Sequence, residues 1–441
     1  MLKPVNVKKL DLTYNNISEE GIKVLFGNNY FPHLDVLNLD FNVINNESLQ
    51  YLSDLTYDLK LNVLNLSRIN IDIEGIKLLC KCKIFSNITQ LDLNQNNISS
   101  KPFKVFIQNS SFKKLKVLNL YRNAIGSDGL KYLALYGKER LSTIEKLNIA
   151  QNRIKKEGMQ HFEKCTFFTE LTYLDLNNNK ISNEGIISLS RCKYLKKLIT
   201  LDLHECKISN PGIRFFVDCD FLSNLKDLNL MGNSIEADSI SYLSKCAFFK
   251  NLENLNLENN QIKILGMKFF NNCDFLKIKK LNLFCNQIGA QGIKYLSECK
   301  FLSSVTNLIL SHNNIRDEGM KHFTNCTFLE NLIELDLYGN EIGDDGLQYL
   351  GRSTFLSKLE TINLESNKIS DFGVKVLFTT TFLKELRNIN LESNKITDKG
   401  LDFIVKSNNF MPNIKKLELY GNEIINDELE KKSRMFSYLL Y

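Results

Sequence analysis

Tryptophan is absent from this sequence, and proline occurs only five times in 441 residues. So few prolines leave no Pro-rich linker to divide the chain. No apolar run approaches the roughly 20 residues that span a bilayer, so no membrane role is indicated. The opening "MLKPVNVKKLDL" lacks the basic-then-apolar layout of a secretory leader, which points to the cytoplasm. Eleven cysteines include no Cys-x-x-Cys pair, and Cys80 and Cys82 lie too close for the usual zinc spacing. No Ser/His/Asp set, phosphate-cradling glycine loop or metalloprotease helix occurs. A net charge of +6 is mild for this length and argues for neither nucleic acid nor an anionic membrane as partner. Neither a cofactor nor a metal is expected.

What the sequence has instead is repetition. The pattern Leu-x-Leu-x-x-Asn-x-Ile recurs sixteen times, from "LDLTYNNI" at Leu10 to "LELYGNEI" at Leu417. Its Asn position is held by Asn15, Asn42, Asn96, Asn123, Asn152, Asn179, Asn233, Asn260, Asn286, Asn313, Asn340, Asn367, Asn394 and Asn422. Ile69 and Cys206 occupy the two remaining repeats. Almost every step is 27 residues; two extra precede Asn152, one is missing before Asn286 and one is added before Asn422. The period-two Leu-x-Leu reads as a short strand. In twelve units a glycine stands four residues after the Ile, preceded by polar and acidic residues that suit a helix N-terminus. Apolar residues one and four past the glycine, such as Ile186 with Leu189 and Met267 with Phe270, make one buried helix face. A strand and helix of this size cannot bury its apolar side alone, so neighbouring units must stack.

These residues resemble the leucine-rich repeat family, in its ribonuclease-inhibitor-like class with a helix in every repeat. The resemblance covers nearly the whole chain. It implies an α/β solenoid, a curved horseshoe with a parallel β-sheet on the concave face and helices outside. It also implies that the repeated Asn side chains form a hydrogen-bonded ladder, with Cys206 an accepted variant and Ile69 an apolar rung. Residues 1–425 are expected to form a single array and residues 426–441 a cap or tail. Met1–Val7 would cover the first repeat, or the natural protein would extend further. At the other end Met435, Phe436, Leu439 and Leu440 would cap the last one. That tail also resembles type IV secretion signals, which would suit a bacterial effector acting in host cytosol.

Most chemically suggestive residues have a bland reading. Cys165, Cys192, Cys219, Cys246, Cys273, Cys299 and Cys326 form a column at one helix position, where later repeats place Ser353, Thr380 and Ser407. Adjacent helices sit about 8–10 Å apart, beyond the reach of a disulfide, so buried free thiols are expected. His161 and His322 replace aromatic residues between helices. GTPase activators built from this repeat use a catalytic arginine on an expanded loop. No such loop exists here, the largest insertion being two residues near Tyr136–Ser142, and Arg122 is the nearest candidate.

Function is therefore sought on the strand side. The residue between the two leucines of Leu-x-Leu is Asp or Asn in fourteen of sixteen repeats, Ile309 and Glu418 being the exceptions. Such uniformity suits a structural role. The position two further on varies strongly, which is where specificity can be written. Tyr121, Arg122 and Lys146 make an aromatic-basic patch. Tyr173, His204 and Met231 follow, then Phe284 and Tyr338; Tyr, Phe, Met and Arg are residue types enriched in interface cores. Glu334, Asp336, Glu365, Glu392 and Glu418 cluster on the last four strands, and would suit a partner with a basic segment. The repeated "INLESNKI" sets Glu365 and Glu392 on adjacent strands about 4.8 Å apart. The expected function is a monomeric, non-catalytic protein-binding scaffold. The alternatives are a regulator of an enzyme in trans, GTPase-activating or inhibitory, and a secreted effector binding a host protein.

Overall fold

The computed structural model describes residues 6–27, 30–57, 59–109, 111–273, 275–406 and 413–425. The expected cap at 426–441 and residues 1–5 lie outside these. The chain divides into two compact units, Met1–Leu225 and Lys226–Tyr441.

In the first unit each Leu-x-Leu motif forms a three-residue strand: β1 (Lys9–Asp11), β2 (Val36–Asn38), β3 (Val63–Asn65), β4 (Gln90–Asp92), β5 (Val117–Asn119), β6 (Lys146–Asn148), β7 (Tyr173–Asp175) and β8 (Thr200–Asp202). They pair in chain order and in parallel, so that Leu91 lies beside Leu118 and Leu118 beside Leu147. The second unit repeats the arrangement with β9 (Asp227–Asn229), β10 (Asn254–Asn256), β11 (Lys280–Asn282), β12 (Asn307–Ile309), β13 (Glu334–Asp336), β14 (Thr361–Asn363), β15 (Asn388–Asn390) and β16 (Lys416–Glu418). Here Leu308 lies beside Leu335, and Ile362 beside Ile389. The central side chain of each strand from β2 onward is buried. That one-sided burial is what fixes the register, since a one-residue slip would turn it into water.

The strands are short because each is stopped by its own side chain. All fourteen Asp/Asn residues of the uniform column accept, through Oδ1, the backbone N–H two residues on, at 2.9–3.1 Å. This is an Asx turn. The next residue then takes a left-handed conformation in every repeat, with φ between +50° at Gln151 and +76° at Gly421. Only Gly232, Gly339 and Gly421 hold it as glycines; elsewhere residues as large as Tyr14, Phe41, Arg122 and His312 do. Each such residue costs of order 1 kcal/mol of backbone strain. The turn is held because its N–H reaches the next repeat's carbonyl, as Arg122 does to Ala150 (3.0 Å) and His312 to Tyr338 (2.8 Å).

Beyond the turn the repeated Asn side chains run inward. Asn152 donates to the Leu120 and Ala150 carbonyls at 2.7 and 2.8 Å, while the Ile125 N–H reaches its Oδ1 at 3.3 Å. Cys206 fills the donor role by placing its Sγ 3.3 Å from the Leu176 carbonyl. Ile69 offers neither donor nor acceptor, so the Asn42 and Ile44 N–H groups lack the side-chain oxygen that serves Asn15 and Ile17 at 3.2 and 2.7 Å.

A helix follows each of the first fifteen strands. After β8 it shrinks to Asn210–Ile213 and continues as a 3₁₀ segment, Arg214–Asp218, a departure from the regular repeat that nothing in the surrounding packing explains. The two-residue insertion adds one short helix, Lys138–Leu141. The recurring glycine lets adjacent helix starts approach closely: a Cβ on Gly158 would stand 3.1 Å from Ser127 Cα. In the second unit the helix starts are also capped in series. Asp317 accepts from the Gly343 and Gly346 N–H groups (2.7 and 2.9 Å), and Asp344 from Ser370 and Gly373 (2.8 and 3.0 Å).

All eleven cysteines are free, and every one but Cys285 is buried. Burial pushes the thiols of Cys80, Cys82, Cys192, Cys219 and Cys299 up to about 12. Only the thiolate attacks a disulfide reagent. The native protein should therefore release one equivalent of thionitrobenzoate from Ellman's reagent, assigned to Cys285, and eleven after denaturation. Several equivalents reacting at once in the native state would contradict the packing of the helix ends.

Candidate interaction surface

The strand-side face carries three rows of outward positions: the first strand residue, the variable residue after the Asx turn, and the left-handed residue that follows. The variable row was expected on the strands themselves. It lies two residues past each strand end, so Glu365 follows β14 and Glu392 follows β15 from inside the turns. Nor is the row uniformly exposed. Asp40, Ser67, Ala150, Asn177 and Ser311 are buried.

In the first unit Tyr121 is half-buried and Arg122 is exposed, its Nη1 3.5 Å from Gln95 Oε1. Lys146 is exposed at the start of β6, in register with Val117 and Tyr173. These three share one stretch of the face. Tyr173 and His204 belong to a denser network. His204 Nδ1 lies 2.8 Å from Asp202 Oδ1, and its Nε2 lies 2.9 Å from Asn178 Nδ2. Tyr173 donates to Asp175 Oδ2 at 3.3 Å. The bond to Asp202 raises the imidazole's proton affinity, while burial and the Asp202 charge raise the Asp175 carboxyl. Both ring nitrogens of His204 are thus engaged within the chain. Met231, expected beside these two, opens the second unit, where it is half-buried.

Sequence reasoning missed a feature at the start of the face. Tyr14 and Phe41, 74% and 44% exposed, stack with ring centroids 4.7 Å apart. Arg68 lies over Phe41 at 5.1 Å and donates from Nε to Asp40 at 2.8 Å, with its Nη2 bonded to the second carboxylate oxygen. All three residues of this stack occupy the left-handed row. A signal existed, since that row varies as strongly as the one before it.

In the second unit Phe284 and Tyr338 are joined by a residue not singled out, His312. Its ring meets Phe284 edge-on at 5.2 Å and Tyr338 at 4.4 Å. Gly339 makes room for it: a Cβ there would stand 2.6 Å from the imidazole. Its neighbour Ser311 is fully buried, and its hydroxyl finds no hydrogen-bond partner among the described residues. The contrast with Ser67 explains why. That hydroxyl reaches Asn65 and Asp92, whereas Ile309 stands where Ser311 would need the Asn.

Beyond Tyr338 the face turns acidic. Glu334 accepts from the Asn307 amide and Glu365 from Asn390 (3.0 Å). Asp336 spends Oδ1 on the Tyr338 N–H, at 3.0 Å. Burial and the charges of Glu418 and Glu365 raise the Glu392 carboxyl. None of these four forms an ion pair among the described residues, whereas Glu418 holds Lys416 at 2.8 Å. Carboxylates outside this strip are commonly neutralised: Glu253 by Lys226 and Lys279, Glu341 by Lys368, Glu360 by Arg387.

Comparison with known proteins now bears on this geometry. A family model described as "Leucine Rich repeat" matches nine segments: residues 3–26, 32–53, 113–134, 169–190, 276–297, 302–323, 329–351, 355–378 and 384–405. The chain is a leucine-rich repeat protein. Among solved structures it is similar to an internalin from Listeria monocytogenes, at 19% identity and a TM-score of 0.50, over 82% of this chain and 87% of that one. At that identity the likeness concerns the fold. No curated protein matches. Among the described residues of this leucine-rich repeat protein, no group of His, Cys, Asp or Glu could hold a metal ion, and no helix is long and apolar enough to cross a membrane.

Proposed function

We propose that this leucine-rich repeat protein is a non-catalytic scaffold that binds a protein partner on its strand-side face, with a basic segment of that partner on the acidic strip of the second unit. The helix in each of fifteen repeats supports placing it in the ribonuclease-inhibitor-like class. The observation that carries the functional reading is the set of unpaired carboxylates, Glu334, Asp336, Glu365 and Glu392, beside Tyr338. Four like charges kept close without a counter-ion cost stability, and a cationic partner would offset that cost. Aromatic and arginine side chains on the strand side of each unit, Tyr121 and Arg122 in the first and Phe284 in the second, are the types that anchor interfaces.

The test is affinity capture by the native chain against the folded triple variant Glu334→Gln/Glu365→Gln/Glu392→Gln. A partner retained by the first, released by salt and weakened about tenfold or more in the second is the expected result. A set of captured proteins unchanged by the triple substitution would sink the reading. Because the Glu392 carboxyl is raised, it takes up its proton at a higher pH than an ordinary glutamate. Partner binding should therefore begin to weaken on mild acidification.

A further inference from the structure

The basic segment of the proposed partner can be specified further, an inference resting on the reading above. The chain contains its own solution to the problem of an aromatic ring beside a carboxylate. In the first unit Arg68 lies over Phe41 with its guanidinium fork on Asp40. A planar guanidinium suits that pairing because it stacks on a ring face while donating two parallel bonds in its own plane. The second unit also sets an aromatic ring beside carboxylates, in other rows of the repeat and without the arginine. Tyr338 is half-buried beside Asp336, whose Oδ2 is not used by the turn, and one repeat before Glu365. The two repeats are bonded there through Gly339 N–H to the Glu365 carbonyl, at 2.9 Å.

A separate observation marks this place as unfinished. Ser311, in the same row as Phe284 and Tyr338, buries a hydroxyl with no partner. A buried hydroxyl left unbonded costs roughly 1–3 kcal/mol of desolvation. The next residue, His312, is exposed and has its ring seated against Gly339.

We infer that the anchor of the partner is an arginine, its guanidinium stacked on Tyr338 and bonded to Asp336 and Glu365, as Arg68 is to Phe41 and Asp40 within the chain. A lysine in that position keeps the charge and loses the stacking and the fork. The full chain should then bind fluorescein-labelled hexa-arginine about tenfold more tightly than hexa-lysine in fluorescence anisotropy. Tyr338→Ala should bring the two peptides to parity, Tyr338→Phe should keep the preference, and Glu365→Gln should weaken hexa-arginine by about tenfold. Circular dichroism reports whether each variant is folded. Equal affinity of the native chain for both peptides, or a preference that survives Tyr338→Ala, overturns the arginine anchor and leaves the basic-partner reading standing. If neither peptide binds, both fall.

Discussion

Replacing Asn313 by alanine should cost about 3–5 kcal/mol of stability, read as a lowered urea midpoint. The side chain is fully buried and makes five bonds. Its Oδ1 accepts from Asn286 N–H at 2.9 Å and Ile288 N–H at 3.3 Å. Its Nδ2 donates to the Leu283, Leu310 and Ser311 carbonyls at 2.8, 3.0 and 3.0 Å. Alanine leaves two backbone donors in the interior with no acceptor, and water cannot reach them. The comparison variant is Asn422→Ala, whose side chain makes the same kind of bonds from a half-exposed position. There water can substitute, and a loss of about 1 kcal/mol is expected. Equal losses at the two sites would show that the ladder bonds contribute little beyond their exchange with solvent. Ile69 shows that one rung can be dispensed with, though not that a second can.

Phe275→Ala should cost about 3–5 kcal/mol and also change the shape of the unfolding transition. Phe275 is buried, with Phe249 at 5.0 Å and Phe301 at 4.9 Å between ring centroids, and Phe270 at 6.4 Å. These rings come from three successive repeats, so one side chain ties three units together. In a repeat array stability is a sum of unit terms and nearest-neighbour terms. Removing the shared ring lowers two neighbour terms at once. The urea transition should become broader, with amide protection lost first around residues 249–301. Phe372→Ala, removing a ring that is 51% exposed, should leave the transition nearly where it was. A sharp single transition in Phe275→Ala with a loss under about 1 kcal/mol would count against this coupling.

The local chemistry of each repeat was legible in the sequence. Leu-x-Leu can only be a strand with one buried face, and a 27-residue period puts equivalent residues of neighbouring repeats in register. The Asp/Asn column was readable as structural because it hardly varies, and fourteen Asx turns give the physical cause. The acidic residues of the last repeats were readable as a group for the same reason: fixed register makes sequence distance a spatial distance.

Tertiary structure decided what those positions experience. No periodicity announces that Arg68 reaches Asp40, that His312 settles against Gly339, or that Ser311 is left without a partner. Each depends on long side chains bending across the boundary between repeats, where rotamer and neighbour identity matter and backbone pattern does not. The same holds for the charges. Glu253 and Glu365 look alike as letters, yet among the described residues one is held by two lysines and the other by none. Sequence by itself determined the scaffold, because a repeated backbone bond pattern has one low-energy way to stack. Which part of its surface is unfinished was settled only by the packing of side chains that do not repeat.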